Sequence, residues 1–441
     1  MDFFRILFIV LPIPLIFTLV LALLFFKRNR FIFFALLIAF WARIFFSIGY
    51  NFYLSEKSLH DYPEHVLMVG GDGEFQSGHA WLISVINLDK DVKKNDLMWK
   101  KGFFSDIWTY EVLFLQDRYI PVHYYQVGFY TYFMAVLYSY FGYSPLIVNF
   151  INCMLGVLAA FLIYQLCLIF NKRVANLSLF LMLWWPSLFF WSALTKLKIT
   201  GMIFLSALFL LLTSKFILQK KIIYLPLIIA TTVLVDLFRV KFSFIFAGIF
   251  IFSLFLTFKT GITKNIISMI GCIFLALNFN KLVLMIKKIL DSGITIHHGV
   301  VNTGGVIYKL LEDRHYLKVP GFYPLSGIDY LKYYLKGLLY FIFEPFLTNI
   351  SSKNILIFLP QQILWYLLLI LSIFGALYCI RYFRKESIVL FVYLFVITSM
   401  LGISGGNIGT DVRHRDLISP VVFIFSSLGL MHLLGYKLRE K

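Results

Sequence analysis

The sequence predicts an all-α polytopic membrane protein, and three observations predict it. Of 441 residues, 60% are hydrophobic and only 14% are charged, where a soluble domain has nearer half and a quarter. Apolar runs long enough to cross a bilayer recur along the whole chain. The short connections between alternate runs are rich in Lys and Arg, the pattern that orients membrane helices. The net charge of +18 is therefore read as topogenic and as facing anionic lipid, which removes the need for a nucleic-acid partner.

The elements follow in order. Runs at 3–26, 31–53, 145–170, 174–191, 199–217, 222–237, 242–258, 265–284, 355–380, 387–403 and 417–435 are about eleven spans on the ~20-residue criterion. The first is too long for a signal-peptide core and is followed by a basic cluster, so it reads as a retained helix. The stretches 122–141 and 331–347 are aromatic and interrupted by polar residues. They read as helices lying at the interface, which keeps the charge pattern consistent.

With the N-terminus outside, the inner connections begin at Lys27, Asn171, Lys215, Lys259 and Arg381, and the tail closes the series. Together they hold only Glu386 and Glu440 of the 22 carboxylates. The outer face then has two large loops, 54–144 and 285–354, and short turns at 191–198, 238–241 and 404–416, all on a single domain spanning 1–441. The cysteines Cys153, Cys167, Cys272 and Cys379 lie in apolar runs without metal-ligand spacing.

Polar residues converge on this outer side. Asp72, Glu74 and His79 lie in the first loop, beside four glycines of the stretch 69–81. Lys196 and Lys198, then Arg239 and Lys241, occupy the short turns. Arg413, His414, Arg415 and Asp416 precede the last span, and His297, His298, Asp313, Arg314 and His315 lie in the second loop. Ionisable groups near the membrane are costly and mark function. Lysine and arginine suit a phosphate, Arg as a bidentate fork and Lys as a point charge. A carboxylate suits removal of a proton from an attacking hydroxyl. Asp72, after Gly70 and Gly71, can cap a helix through Phe75, His79 and Leu82 and so stay ionised. Glu74 is the second choice for the base. The adjacent His297–His298 pair does not suit metal ligation.

Four stretches in this order resemble the GT-C glycosyltransferases, close to the protein O-mannosyltransferases and lipid A aminoarabinose transferases of glycosyltransferase family 39. They are Asp72–Phe75, Pro121–Gly142, Pro186–Lys198 and the run Gly406–Pro420. The resemblance implies a GT-C-like bundle and inverting transfer of a sugar from a polyprenyl-phosphate donor. The acceptor would be a glycan, lipid or protein hydroxyl on the outer face of a bacterial plasma membrane. Asp72 would act as base. Lys196, Lys198, Arg413 and Arg415 would bind the donor phosphate, and His79, Tyr124, Arg239 and His414 the substrates.

The chain departs from the pattern in three ways. Leu197 and Lys198 stand where many relatives carry an acid, an extra span precedes the Asp loop, and no Trp-Trp-Asp motif is present, "WWP" at Trp184 lying in a span and reading as interface aromatics. Oligosaccharyltransferase-type members hold a divalent ion with carboxylates from two loops, and the second such turn here offers lysines. Mg²⁺ takes oxygen ligands, so no metal cofactor is expected. A polymerase or ligase of lipid-linked polysaccharide is the near alternative. A flippase of lipid-linked sugars would need functional charges buried mid-span and an internal repeat. No repeat stands out in the sequence, and its charges are read as lying in one outer layer. A non-catalytic scaffold is the third reading.

Overall fold

The computed structural model describes residues 3–56, 77, 80, 84, 98–101, 109–115, 118–123, 129–142, 144–257, 279–303, 308–312, 315, 325–346 and 359–436. Helices dominate them. Six are long and apolar enough to cross a membrane: Leu7–Phe26, Arg30–Tyr53, Pro145–Cys167, Ile199–Gln219, Leu359–Tyr382 and Arg384–Gly402. The number rises to eight if each of two bent helix pairs is one span. Two shorter apolar helices, Tyr224–Phe238 and Phe242–Thr257, match the expected runs at 222–237 and 242–258. Residues 265–278 of the expected eighth span lie outside the described residues.

The chain divides into two compact units, 1–166 with 175–211 and 227–243, and 167–174 with 212–226 and 244–441. The first opens with α1 (Phe3–Val10) and α2 (Pro12–Leu21), which a π-helical turn, Ala22–Phe26, extends. Proline is tolerated at the start of α2 because the first helical N–H groups have no partner in any case. Helix α3 (Arg30–Glu56) follows.

A small antiparallel sheet comes next, β1 (Met98–Lys101), β2 (Thr109–Leu115) and β3 (Arg118–His123), in that order. It was not expected, and it takes Val122 and His123 out of the predicted interfacial helix, which starts only at Phe129. The physical signal is in the sequence. Val112, Tyr119, Ile120 and Val122 favour strands, and only Gln116 and Asp117 separate β2 from β3. Pro121 pairs with Glu111 in β3, an edge strand of this sheet, where a missing N–H is tolerated.

Helices α4 (Phe129–Phe141), α5 (Pro145–Cys167), α6 (Lys172–Trp184) and α7 (Pro186–Leu194) follow. Helices α6 and α7 bend by 49° where Trp185 is extended (φ −62°, ψ 122°). The bend has a cause: a residue before proline is driven out of the α region. The sequence "WWP" is thus a helix break. Helices α8 (Ile199–Gln219) and α9 (Tyr224–Phe238) come next.

In the second unit α10 (Phe242–Thr257) precedes α11 (Phe279–Thr303) and α12 (Gly327–Phe343), so the described residues of the expected second loop are largely helical. Ser326 caps α12 through a reciprocal box with Asp329, satisfying backbone N–H groups that lack helical partners. The stretch predicted at 331–347 is thus helical over Gly327–Phe343, beginning and ending earlier than expected. Helices α13 (Leu359–Tyr382), α14 (Arg384–Gly402), α15 (Ile408–Arg415) and α16 (Ser419–Leu433) complete the unit. The α15–α16 pair bends by 62°.

Helices α13 and α16 meet backbone to backbone. A Cβ on Gly375 would collide with the Phe425 carbonyl, and one on Gly429 with the Leu371 carbonyl. Small residues permit this approach in membrane helices. The Ser426 hydroxyl donates to the Leu368 carbonyl at 2.6 Å across the same seam.

Candidate functional site

The basic turn after α7 lies wholly within the described residues. Thr195 takes up an extended conformation that ends α7, and Lys198 begins α8 by accepting from the Met202 N–H at 3.1 Å. Asn152 of α5 holds this turn from below. Its Nδ2 lies 3.0 Å from the Thr195 carbonyl, 3.2 Å from the Tyr130 hydroxyl and 3.4 Å from the Leu197 carbonyl. Non-helical carbonyls buried among apolar helices need such a donor. Lys196 is only 2% exposed and Lys198 is half-buried.

Arg239 shares this end of the first unit. A Cβ on Gly201 would stand 2.5 Å from the Phe238 ring, so the start of α8 packs on the end of α9. Arg239 follows directly, its carbonyl accepting from the Phe242 N–H at 3.1 Å and its guanidinium lying 4.6 Å from the Phe242 ring centroid. Lys241 closes the turn with a positive φ of 70°. Two turns and a helix N-terminus thus bring Lys196, Lys198 and Arg239 to one end of one unit. Positive charge at the start of a 21-residue helix adds to the N–H groups and the dipole there, and such a place favours an anion.

Arg413, His414 and Arg415 belong to the other unit. Arg413 and His414 are half-buried, whereas Arg415 is buried and turned inward. Its Nη1 donates to the Ile342 carbonyl at 3.1 Å and to Gln362 Oε1 at 3.2 Å, and its guanidinium lies over Trp365. In this arrangement Arg415 ties α15 to the end of α12 and to α13. Nearby, the Tyr308 hydroxyl donates to Asp411 Oδ2 at 2.6 Å, and Glu344 Oε2 accepts from the Phe346 N–H at 2.9 Å. Asp411 and Glu344 are both fully buried.

His297 is also structural. Its Nδ1 faces the Gly405 carbonyl, and its Nε2 accepts from the Leu310 N–H at 3.3 Å. A carbonyl requires the proton on Nδ1 and an N–H requires a lone pair on Nε2, so the ring is neutral and its tautomer fixed. Burial holds its pKa below the usual histidine value; the Gly405 bond opposes this, and His298 and Lys336 add to it. Among the described residues no cluster of His, Cys, Asp or Glu could hold a metal.

Asp72, Glu74, His79 and Tyr124 lie outside the described residues, as do Asp313 and Arg314. Later in the same sequence stretch, Ser77, Ala80 and Ser84 are each helical and buried. The Ser77 hydroxyl lies 2.6 Å from that of Tyr138 in α4.

One charged residue was missed. Arg43 sits within the candidate span Arg30–Tyr53 and is 1% exposed. Its Nε donates to Ser192 Oγ at 2.9 Å, Nη1 to the Ala39 carbonyl at 3.0 Å and Nη2 to the Leu183 carbonyl at 2.6 Å. Phe189 lies beneath it at 4.8 Å. The Leu183 carbonyl belongs to the last turn of the broken α6, where a cation is favoured. This corrects the reading that the charges form one outer layer. The available signal was a lone arginine inside an apolar run.

No protein-family model, curated protein or solved structure matches this chain.

Proposed function

We propose that this protein is a membrane glycosyltransferase that moves a sugar from a polyprenyl-phosphate donor to an acceptor hydroxyl on the outer face, with inversion at the anomeric carbon. The observation that carries the reading is the basic turn Lys196–Lys198, half of it buried, at the N-terminus of α8 beside Arg239. It has the chemistry of a phosphate site and lies at the end of apolar helices, where a lipid-anchored phosphate would arrive. The ordered motifs from Asp72 to Pro420 supply the rest of the argument.

In this reaction Asp72 takes the acceptor proton as the oxygen attacks the anomeric carbon. The bond from that carbon to the phosphate oxygen breaks, and its electrons leave with the lipid phosphate, whose charge the lysines and Arg239 hold. General-base catalysis contributes about 10²–10⁴ in rate. The test is purified protein in vesicles with labelled polyprenyl-phosphate sugars and cell-envelope acceptors. Asp72→Asn should lose turnover by that factor while still binding donor, and Glu74→Gln should lose much less. Near-normal turnover in Asp72→Asn would sink the assignment.

Arg43 favours a second reading, transport of a lipid-linked sugar. It is a charged side chain buried within a span, beside a broken helix pair, and both features occur in transporters. Movement of intact donor across the vesicle without a glycosylated product would select it.

A further inference from the structure

Helix α11 carries an apolar face that changes surroundings halfway along. At 100° per residue, Val283, Ile286, Ile289, Leu290, Gly293, Ile294 and His297 share one face. On the second half of the helix the protein covers this face: Gly293, Ile294 and His297 are buried. On the first half it does not: Val283 is 48% exposed, Ile286 48% and Ile289 50%, and Leu284 and Met285, off this face, are exposed as well. Lys281, Lys287 and Lys288 are exposed along the same half, and no carboxylate occurs between Phe279 and Leu290. Asp291, the first acid, accepts from the Tyr330 hydroxyl of α12, and the Lys287 ammonium lies 5.8 Å from the Tyr330 ring centroid.

Helix α12 repeats the pattern beside it. Ile328, Leu331, Leu335 and Leu339 are half or more exposed on one face, with Lys332 exposed among them. The spanning helix α13 shows an equal exposure of Ile363, Leu367, Ile370 and Leu377, so aliphatic side chains open to lipid are the rule in this unit. Between Leu359 and Ile380, however, α13 has no lysine or arginine. An exposed aliphatic row interleaved with lysines belongs to the headgroup boundary, where the stems lie along apolar surface and the ammonium groups reach outward.

We propose that the first half of α11 and the outward face of α12 lie in the membrane interface and bind anionic phospholipid headgroups. The occupant is a bilayer surface, because the charge is of one sign and the apolar row is aliphatic. The inference does not depend on the sugar-transfer reading.

The test uses the full chain in vesicles of phosphatidylcholine with or without phosphatidylglycerol. An environment-sensitive fluorophore is placed on Ile286→Cys, with exposed Ser292→Cys, about 120° around the helix from it, as the control. The Ile286 probe should emit as if in lipid, and nitroxide-labelled phosphatidylglycerol should quench it more than nitroxide-labelled phosphatidylcholine. The Ser292 probe should remain in water. Replacing Lys281, Lys287 and Lys288 together by Gln should abolish the preference. At about 1 kcal/mol per lysine near an anionic surface, the loss is on the order of 100-fold in relative lipid association. These exposed changes leave the buried contacts intact, and size-exclusion elution checks the fold. A water-like Ile286 probe in both vesicles would overturn the proposal. So would equal quenching by the two lipids. Burial of the probe that depends on protein concentration in detergent would show a second copy on this face, and would overturn it too.

Discussion

Asn152 is the residue on which the geometry of the basic turn most depends. Replacing it by Leu keeps the volume and removes the amide. The Thr195 carbonyl, 3.0 Å from Nδ2, and the Leu197 carbonyl, at 3.4 Å, then lose their donor in an apolar setting. A buried acceptor left without its donor costs about 1–3 kcal/mol, and the longer bond contributes the smaller share. We expect the turn to open more easily by about that amount, roughly 5- to 150-fold in its opening equilibrium. The readout is Lys196, which is 2% exposed in the folded protein. Amine-reactive labelling of Lys196, followed by peptide mass spectrometry, should accelerate by that factor in Asn152→Leu. Labelling of Lys221, an exposed lysine beyond α8, should not change. Asn152→Asp is the sharper variant, because a carboxylate facing two carbonyls can only accept. Lys196 labelling in Asn152→Asp should be at least as fast. If Lys196 stays protected in both folded variants, the amide does not hold the turn and the reasoning fails.

Arg43→Lys should lower thermal stability in detergent more than Arg43→Met, since a point charge cannot serve the Leu183 carbonyl and Ser192 together, while Met removes the buried charge; the reverse order would show that charge rather than the guanidinium fork matters. Stability should also fall with acid through His297. Its folded pKa lies below the unfolded value of about 6.5, so the unfolded chain binds the extra proton and stability declines as pH drops through that value toward the folded one. Melting curves of the native protein and His297→Gln between about pH 7.5 and 5.5 should diverge on the acid side; parallel curves would remove His297 from the account. Cysteines at Gly409 and Gln219, both exposed, should label with an impermeant thiol reagent from opposite sides of a sealed vesicle, and labelling from one side would break the topology. Gly375→Ala should destabilise by about 1–3 kcal/mol or more through overpacking against the Phe425 carbonyl, and an unchanged melting temperature would contradict the close seam.

Much of the fold was legible because a bilayer imposes a length. Runs such as 145–170 and 199–217 had no other use for so many apolar residues, and both are helices. The sheet at 98–123 was hidden by the expectation that outer loops hold interfacial helices, although Gln116 and Asp117 between strand-forming runs are a hairpin signal. Helix α11 was divided between a span and a loop because the lysines after Ile286 end the apolar run without ending the helix. At the site, Lys196 and Lys198 were found from charge at the end of an apolar segment. The inward turn of Arg415 was not legible. Arg413 and Arg415 sit two residues apart on an eight-residue helix, and only packing decides which one faces the protein. Arg43 was passed over because one ion barely alters the hydropathy of a 24-residue run.

The seam between α13 and α16 has a mechanical consequence. Each helix presses a glycine against a carbonyl of the other, so neither can ratchet along its neighbour. A slip of one residue advances a helix by about 1.5 Å and turns it by about 100°, which would drive a side chain into the space between the two backbones. The pair therefore behaves as a strut. In any rearrangement of the second unit that keeps this seam, α13 and α16 move as one piece.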